Sequence, residues 1–380
     1  MRRIFLDYNS TTPVHPEVLE AMLPFLKDKC GNPSSVHSFG RDAKVALEES
    51  REMVANFLNA EPAEICFTSC GSESDNLAVK GIAWANQDKG KYIITSTIEH
   101  PAVLESCRWL EGNGFEVTYL PVDKHGLVNP DDLRKAIRKD TILVSIMQAN
   151  NEVGTTEPIE ELCSIAKERE VYFHTDAVQS AGKVPLEVKK LGVDLLSLSG
   201  HKLYAPKGVG VLYVKSGTKI DVWLHGGSQE RGRRSGTENI PYIVGFAKAC
   251  EIAHRDLPSL SEKLKNLSQA FWRKLQESIP DVKLNGHTTQ RIPNTLNISF
   301  PGCEAQSLII ALDLQGVAVA AGAACHSGAV SASAVLSALG LSNEEALSAI
   351  RFSFGRENTM EDVEYVCGIL PAMVGRMRKA

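Results

Sequence analysis

The sequence has no Cys-x-x-Cys pair. Its nine cysteines run from Cys30 to Cys367, and the closest two, Cys66 and Cys70, are separated by Phe67, Thr68 and Ser69. An odd number of thiols without a paired framework argues against a disulfide-stapled secreted domain and points to a reducing, cytoplasmic compartment. A long apolar run is missing too. Gly316 to Leu341 carries no Asp, Glu, Lys or Arg, but it is rich in Ala, Ser and Gly and is interrupted by His326, so no membrane span is expected. The opening residues, Met1 to Leu6, reach Asp7 before a signal-type apolar core can develop. No charge of one sign dominates. With 41 basic and 46 acidic residues the net charge is −5, which gives neither nucleic acid nor an anionic membrane a reason to bind. There is no internal repeat and no disordered tail.

What is present is the composition of an ordinary folded chain: 380 residues, 43% apolar and 23% charged. A chain this long buries roughly three quarters of its unfolded surface and needs no disulfides. Short apolar runs alternate with helical patterns. Strands are expected at 64–68, 91–96, 116–120, 141–147, 171–175, 194–198 and 210–214, with helices at 75–85 and from Pro101. That rhythm predicts an α/β fold, a large doubly wound, mostly parallel sheet with chemistry at the C-terminal strand ends. After Asp256 the pattern changes to a long helix over 261–278, an alternating strand at 294–300, a small-residue segment, a strand at 350–354 and a final helix. We therefore expect a large domain over 14–256 and a smaller α+β domain made of 257–380 together with residues 1–13.

Four places carry candidate chemistry. Lys202 follows an apolar strand in Ser199-Gly200-His201-Lys202; a lone lysine there is ordinarily a surface residue. Asp176, which closes the strand Val171–Asp176, changes that reading. A lysine that forms a Schiff base and an aspartate that faces a pyridinium nitrogen are the two essentials of a pyridoxal 5'-phosphate (PLP) site. The segment Thr68–Asp75 joins a strand to a helix and offers an N-terminal nest for a phosphate, with simple N-capping by Ser72 or Ser74 as the structural alternative. His100 precedes Pro101 at a third strand end, where it would stack on a ring and shuttle protons. Cys325 lies among Gly, Ala and Ser residues, with few large side chains to pin it, and so suits a thiol that travels between a cleft and an outside partner.

The chain resembles the cysteine desulfurases of the NifS/IscS type, within the class-V aminotransferase-like PLP enzymes of fold type I. The resemblance runs nearly end to end through Leu6-Asp7-Tyr8-Asn9-Ser10-Thr11-Thr12-Pro13, Gly31-Asn32-Pro33-Ser34-Ser35-Val36-His37, Ala149-Asn150-Asn151-Glu152-Val153-Gly154, Ser199-Gly200-His201-Lys202, Arg234-Ser235-Gly236-Thr237 and Ile350-Arg351-Phe352-Ser353. It implies that Lys202 anchors PLP, that Asp176 faces the ring nitrogen, that Gln179 bonds the ring hydroxyl oxygen and that His100 stacks on the ring. By the same resemblance Gly71, Ser72, Ser199 and His201 hold the phosphate, with Thr237 reaching it from the other subunit of a homodimer. Asn151 and Arg351 would take the carboxylate of L-cysteine, and Cys325 would accept its sulfur as a persulfide, leaving L-alanine. No metal site is expected. The sulfur would pass to an acceptor protein such as an iron–sulfur scaffold.

Departures from the family pattern are Ser72 for Thr, Cys70 for Gly, His326 for Thr or Ser, and Ser331-Ala332 for Glu-Pro. The chain also ends at Lys379-Ala380, short of the tail some members use to bind a scaffold. Rival readings are a selenocysteine lyase or C–S β-lyase on the same scaffold, and a non-catalytic assembly partner, which the full set Lys202, Asp176, His100 and Arg351 argues against.

Overall fold

A short strand, β1 (Ile4–Phe5), opens the chain, and seven further strands build a central sheet: β2 (Ile65–Thr68), β3 (Tyr92–Ser96), β4 (Glu116–Leu120), β5 (Thr141–Ser145), β6 (Tyr172–Asp176), β7 (Leu195–Ser199) and β8 (Gly210–Val214). The computed structural model describes residues 3–321 and 332–379. The order across the sheet is β2-β8-β7-β6-β5-β3-β4. Neighbours from β7 to β4 are parallel, whereas β8 runs antiparallel to both β2 and β7.

Both faces of the sheet are covered, which is why its inner strands read as unbroken apolar runs. The alternation of side chains still sorts them. Val211 and Tyr213 of β8 join a core shared with Val18, Leu47 and Phe246, while Leu212 and Val214 join the opposite core with Leu77, Val103 and Leu110. Helices Pro16–Lys27, Ser38–Leu58 and the start of Ile240–Ser278 thus lie on one face, and Gly71–Asn86 and Pro101–Glu111 on the other.

A second sheet forms from β9 (Lys283–Asn285), β10 (Thr295–Ser299), β12 (Ala320–Ala321) and β13 (Ala349–Ser353), antiparallel in the order β12-β13-β10-β9, and β11 (Val317–Ala318) pairs with β1. Its core gathers Phe271, Phe300, Phe352 and Phe354 with Ile4 and Leu6 from the N-terminus. Among the described residues no helix is long and apolar enough to cross a membrane.

Four expectations need correction. The helix expected at 261–278 is the second half of Ile240–Ser278. Pro258 inside it is exposed, as is His254, whose carbonyl the proline deprives of its usual donor, and the helix continues. Its first half packs on the large sheet's core and its second half on the small one. The helix expected to start at Asp75 begins at Gly71, and its N-cap is Cys70, which makes no side-chain cap bond. Neither Ser72 nor Ser74 caps it; Ser74 Oγ instead meets Thr68 Oγ1 at 2.8 Å. The strand expected to reach Met147 ends at Ser145, and the one expected at 194–198 sits one residue later. Cys325, His326 and Ser331 lie outside the described residues.

Candidate active site

The strands β2, β3, β5, β6 and β7 all point the same way, so the loops after them meet on one rim. Asp176 ends β6, and the 3-10 turn Gly200–Lys202 follows the adjacent strand β7. His100 follows β3, Asn151 follows β5, and Gly71 and Ser72 open the helix after β2. Arg351 arrives from β13 of the second sheet. These residues, with Gln179, Ser199 and His201, line a single cleft of about 290 Å³ between the two sheets. Of the residues named from the sequence, Thr237 is exposed and does not line this cleft, and Cys325 lies outside the described residues.

Lys202 is held by its Nζ donating to the carbonyls of Asn9 and Ser10, the latter at 2.7 Å. Burial pushes its ammonium down to about 8, and the nearby Arg351 charge adds to the fall. A neutral amine is therefore accessible near neutral pH. Asp176 is only 5% exposed and accepts the Val178 N–H at 2.8 Å. Burial raises its pKa, and the neighbouring His100 and Lys202 oppose that rise. His100 caps the Pro101–Glu111 helix, its Nδ1 accepting the Ala102 N–H at 3.1 Å. That bond leaves Nε2 to carry the proton of the neutral ring, and burial favours the neutral form. His201 meets Thr11 Oγ1 at 3.1 Å, and burial and the adjacent lysines push its pKa down to about 4.

At the anion end, the Gly71–Asn86 helix presents an N-terminus with no side-chain cap. A Cβ on Gly71 would come within 2.9 Å of Val178 Cγ2 and 3.2 Å of Ser199 Cβ, filling the cradle that a phosphate needs. Arg351 donates to the Asn151 carbonyl at 3.0 Å, to Asp7 Oδ1 at 2.7 Å and to Ser10 Oγ at 2.8 Å, while its buried Nε has no hydrogen-bond partner among the described residues. Asp75, also on the cleft, has a buried Oδ1 with no hydrogen-bond partner among the described residues, 3.7 Å from His174 Nε2. A cationic ring nitrogen beside Asp176, a phosphate at the helix N-terminus and an aldehyde at Lys202 match these donors and acceptors, so the residues present fit PLP.

Reading the sequence by residue type missed several groups around this cleft. Asp7 and Asn9 sit in the Leu6–Pro13 stretch already quoted, but nothing in their spacing announces an ion pair to Arg351 or a carbonyl aimed at Lys202. Glu99, 3% exposed beside His100, accepts from Ser96 Oγ at 2.6 Å and the Met147 N–H at 2.9 Å, and burial raises its pKa to about 8. Lys183 is 7% exposed behind Gln179. In the sequence Lys183 is simply a lysine four residues after Gln179, and nothing there announces its burial.

The sequence profile of the class-V aminotransferase family matches residues 4–366. Similar curated proteins include a cysteine desulfurase IscS from Dictyoglomus turgidum, 53% identical over 99% of this chain and 96% of that one. A cysteine desulfurase IscS from Methanosarcina thermophila is 52% identical over 99% and 93%. Among solved structures, a NifS-like protein superposes with a TM-score of 0.93 at 40% identity, covering 98% of this chain and all of that one. SspA in complex with cysteine gives a TM-score of 0.83 at 37% identity, covering 92% and 98%. The chain belongs to the class-V aminotransferase family, among its PLP-dependent cysteine desulfurases.

Proposed function

We propose that this chain takes sulfur from L-cysteine, releases L-alanine and carries the sulfur as a persulfide on Cys325. The observation that supports it most directly is the convergence of Lys202, Asp176, His100 and Arg351 on one cleft. Lys202 would hold PLP, with Gly71, Ser72, Ser199 and His201 around its phosphate, and the cofactor would supply an electron sink for the bond electrons released at the substrate Cα. Everything else falls to the chain. Arg351 and Asn151 hold the substrate carboxylate, and His100 covers the ring. Lys202 Nζ, once free as the neutral amine, would remove the Cα proton, and a pKa lowered to about 8 makes that amine accessible near neutral pH. Asp176 keeps the ring nitrogen protonated, and Gln179 faces the ring oxygen. The Cys325 thiolate attacks the substrate sulfur: an S–S bond forms, the C–S bond breaks, and its electron pair stays with the carbon that is protonated to give alanine.

The separate cores support a large unit of residues 14–256 and a smaller one of 257–380 with 1–13. A homodimer is supported by the apolar side chains left uncovered at Leu19, Leu26, Val36, Phe39 and Val45, which are 48% to 90% exposed. In that dimer the exposed Thr237 would reach the partner subunit's phosphate site. The acceptor is an iron–sulfur scaffold or a similar protein in a reducing, cytoplasmic compartment, in keeping with the free thiols of the described residues.

The deciding experiment is Cys325→Ala supplied with PLP and L-cysteine. The variant should bind both and form almost no persulfide. Sustained normal sulfur transfer would end the proposal, and free sulfide released with pyruvate and ammonia in place of alanine would favour a β-lyase.

A further inference from the structure

Lys183 lies deep behind the cleft, and the charges that act on it are two cations, Lys202 and Arg351. A buried lysine in such company is costly unless it has defined hydrogen-bond work. Here that work is directed at one side chain. The turn that follows Asp176 brings Lys183 back over Gln179, so that Lys183 Nζ donates to the Gln179 main-chain carbonyl at 2.8 Å and to Gln179 Oε1 at 3.1 Å. Gly182, at φ 69°, makes the turn tight; a Cβ there would meet Leu203 Cδ2 at 2.6 Å. On its other side Gln179 donates from Nε2 to the Asn9 carbonyl at 2.9 Å.

Both contacts select the same orientation of the amide. A carbonyl only accepts, so Gln179 must turn its nitrogen to Asn9 and hence its oxygen to Lys183; burial pushes the Lys183 ammonium down to about 7, and its N–H groups donate to that oxygen. With Oε1 turned to Lys183, the second N–H on Nε2 is left for the cleft that Gln179 lines.

We propose that Lys183 is a positioning residue that locks Gln179 as a hydrogen-bond donor, so that the site accepts the ring oxygen of PLP as an anion rather than as a hydroxyl. This rests on the reading above that Gln179 faces that oxygen. Replacing Lys183 by an apolar side chain removes one of the two contacts that hold this orientation and leaves Gln179 Oε1 without its donor, so the amide is less firmly held as a donor and the ring oxygen keeps its proton to higher pH.

The test is a pH titration of the visible absorption band of the PLP-loaded protein for wild type, Lys183→Met, Gln179→Met and the double variant. Borohydride reduction and peptide mass mapping would locate the labelled lysine in each. In both single variants the midpoint should rise by about one pH unit, and in the double variant by no more than in either single one, because one side chain acts through the other. Lys183→Gln, which keeps a donor, should titrate like wild type. If Lys183→Met does not fold, Lys183→Gln, Gln179→Met and Gln179→Met/Lys183→Gln decide the matter: a midpoint that rises in Lys183→Gln overturns the proposal. An unmoved midpoint in Lys183→Met, or additive shifts in the double variant, with the label still on Lys202, also overturns it. A label on another lysine overturns the cofactor reading itself, and this inference with it.

Discussion

Lys202 and Gln179 donate to the same acceptor, the main-chain carbonyl of Asn9. One peptide group near the N-terminus therefore positions two side chains that arrive from neighbouring strand ends, and ties the β1 segment to the rim of the large sheet.

Removing the amine should abolish the site. Lys202→Ala, supplied with PLP, should not develop the visible band of a covalently held cofactor. Absorption spectra after desalting would show this, and an unchanged band would mean that another lysine is the anchor.

Asp7 pairs with Arg351 at 2.7 Å and its charge raises the pKa of Lys202. Asp7→Asn should therefore lower that pKa further and leave more neutral amine at pH 7. The rate at which the cofactor-free protein captures PLP at pH 7 should increase by about threefold, the scale of a partly exposed charge interaction. Slower capture than wild type would show that Asp7 matters for placing Arg351 and not for the charge on Lys202.

Glu99 is buried and its pKa is raised from 4.5 to about 8. Between those values the folded state holds a proton that the unfolded state has lost. Its contribution to stability is thus complete below about pH 4.5 and is lost as pH climbs to 8, by about 1.4 kcal/mol per pH unit at most. Glu99→Gln keeps the acceptor for Ser96 and Met147 and removes the titration. Urea unfolding of the cofactor-free protein at pH 5 and pH 8 should show a smaller loss of stability for the variant than for wild type; equal losses would assign the pH dependence elsewhere.

Arg51 and Glu230 form a bidentate pair at 2.8 Å, each side chain 2% exposed, and Glu230 also accepts the Phe67 N–H at 2.8 Å. The pair fastens the segment leading to Thr237 against β2. Arg51→Met leaves a buried carboxylate without its cation and should cost about 3–5 kcal/mol in urea unfolding. Arg51→Met/Glu230→Gln should recover part of that cost. A loss below about 1 kcal/mol in the single variant would mean that water reaches Glu230.

Much of this site is legible in the sequence. A strand that ends in Asp176 and another that ends shortly before Lys202 can be read from apolar runs, because fully buried parallel strands leave that mark. The same holds for the strand before His100; the small residues around Gly71 marked the strand-to-helix junction but not the helix start, which lies four residues earlier than expected. The contacts that tune these groups were not legible. Asp7 and Arg351 stand 344 residues apart, and no local pattern joins them. The continuation of the Ile240–Ser278 helix through Pro258 depended on which face the proline happened to occupy.

By itself, then, the sequence determined the sheet and which side chains stand at its C-terminal edge, since propensity and alternation act over a few neighbouring residues. Only the tertiary structure decided the antiparallel course of β8, the partner of Arg351 and the orientation of Gln179. Those depend on burial and on hydrogen bonds closed across the whole chain, where a donor finds its acceptor only after folding brings the two sheets together.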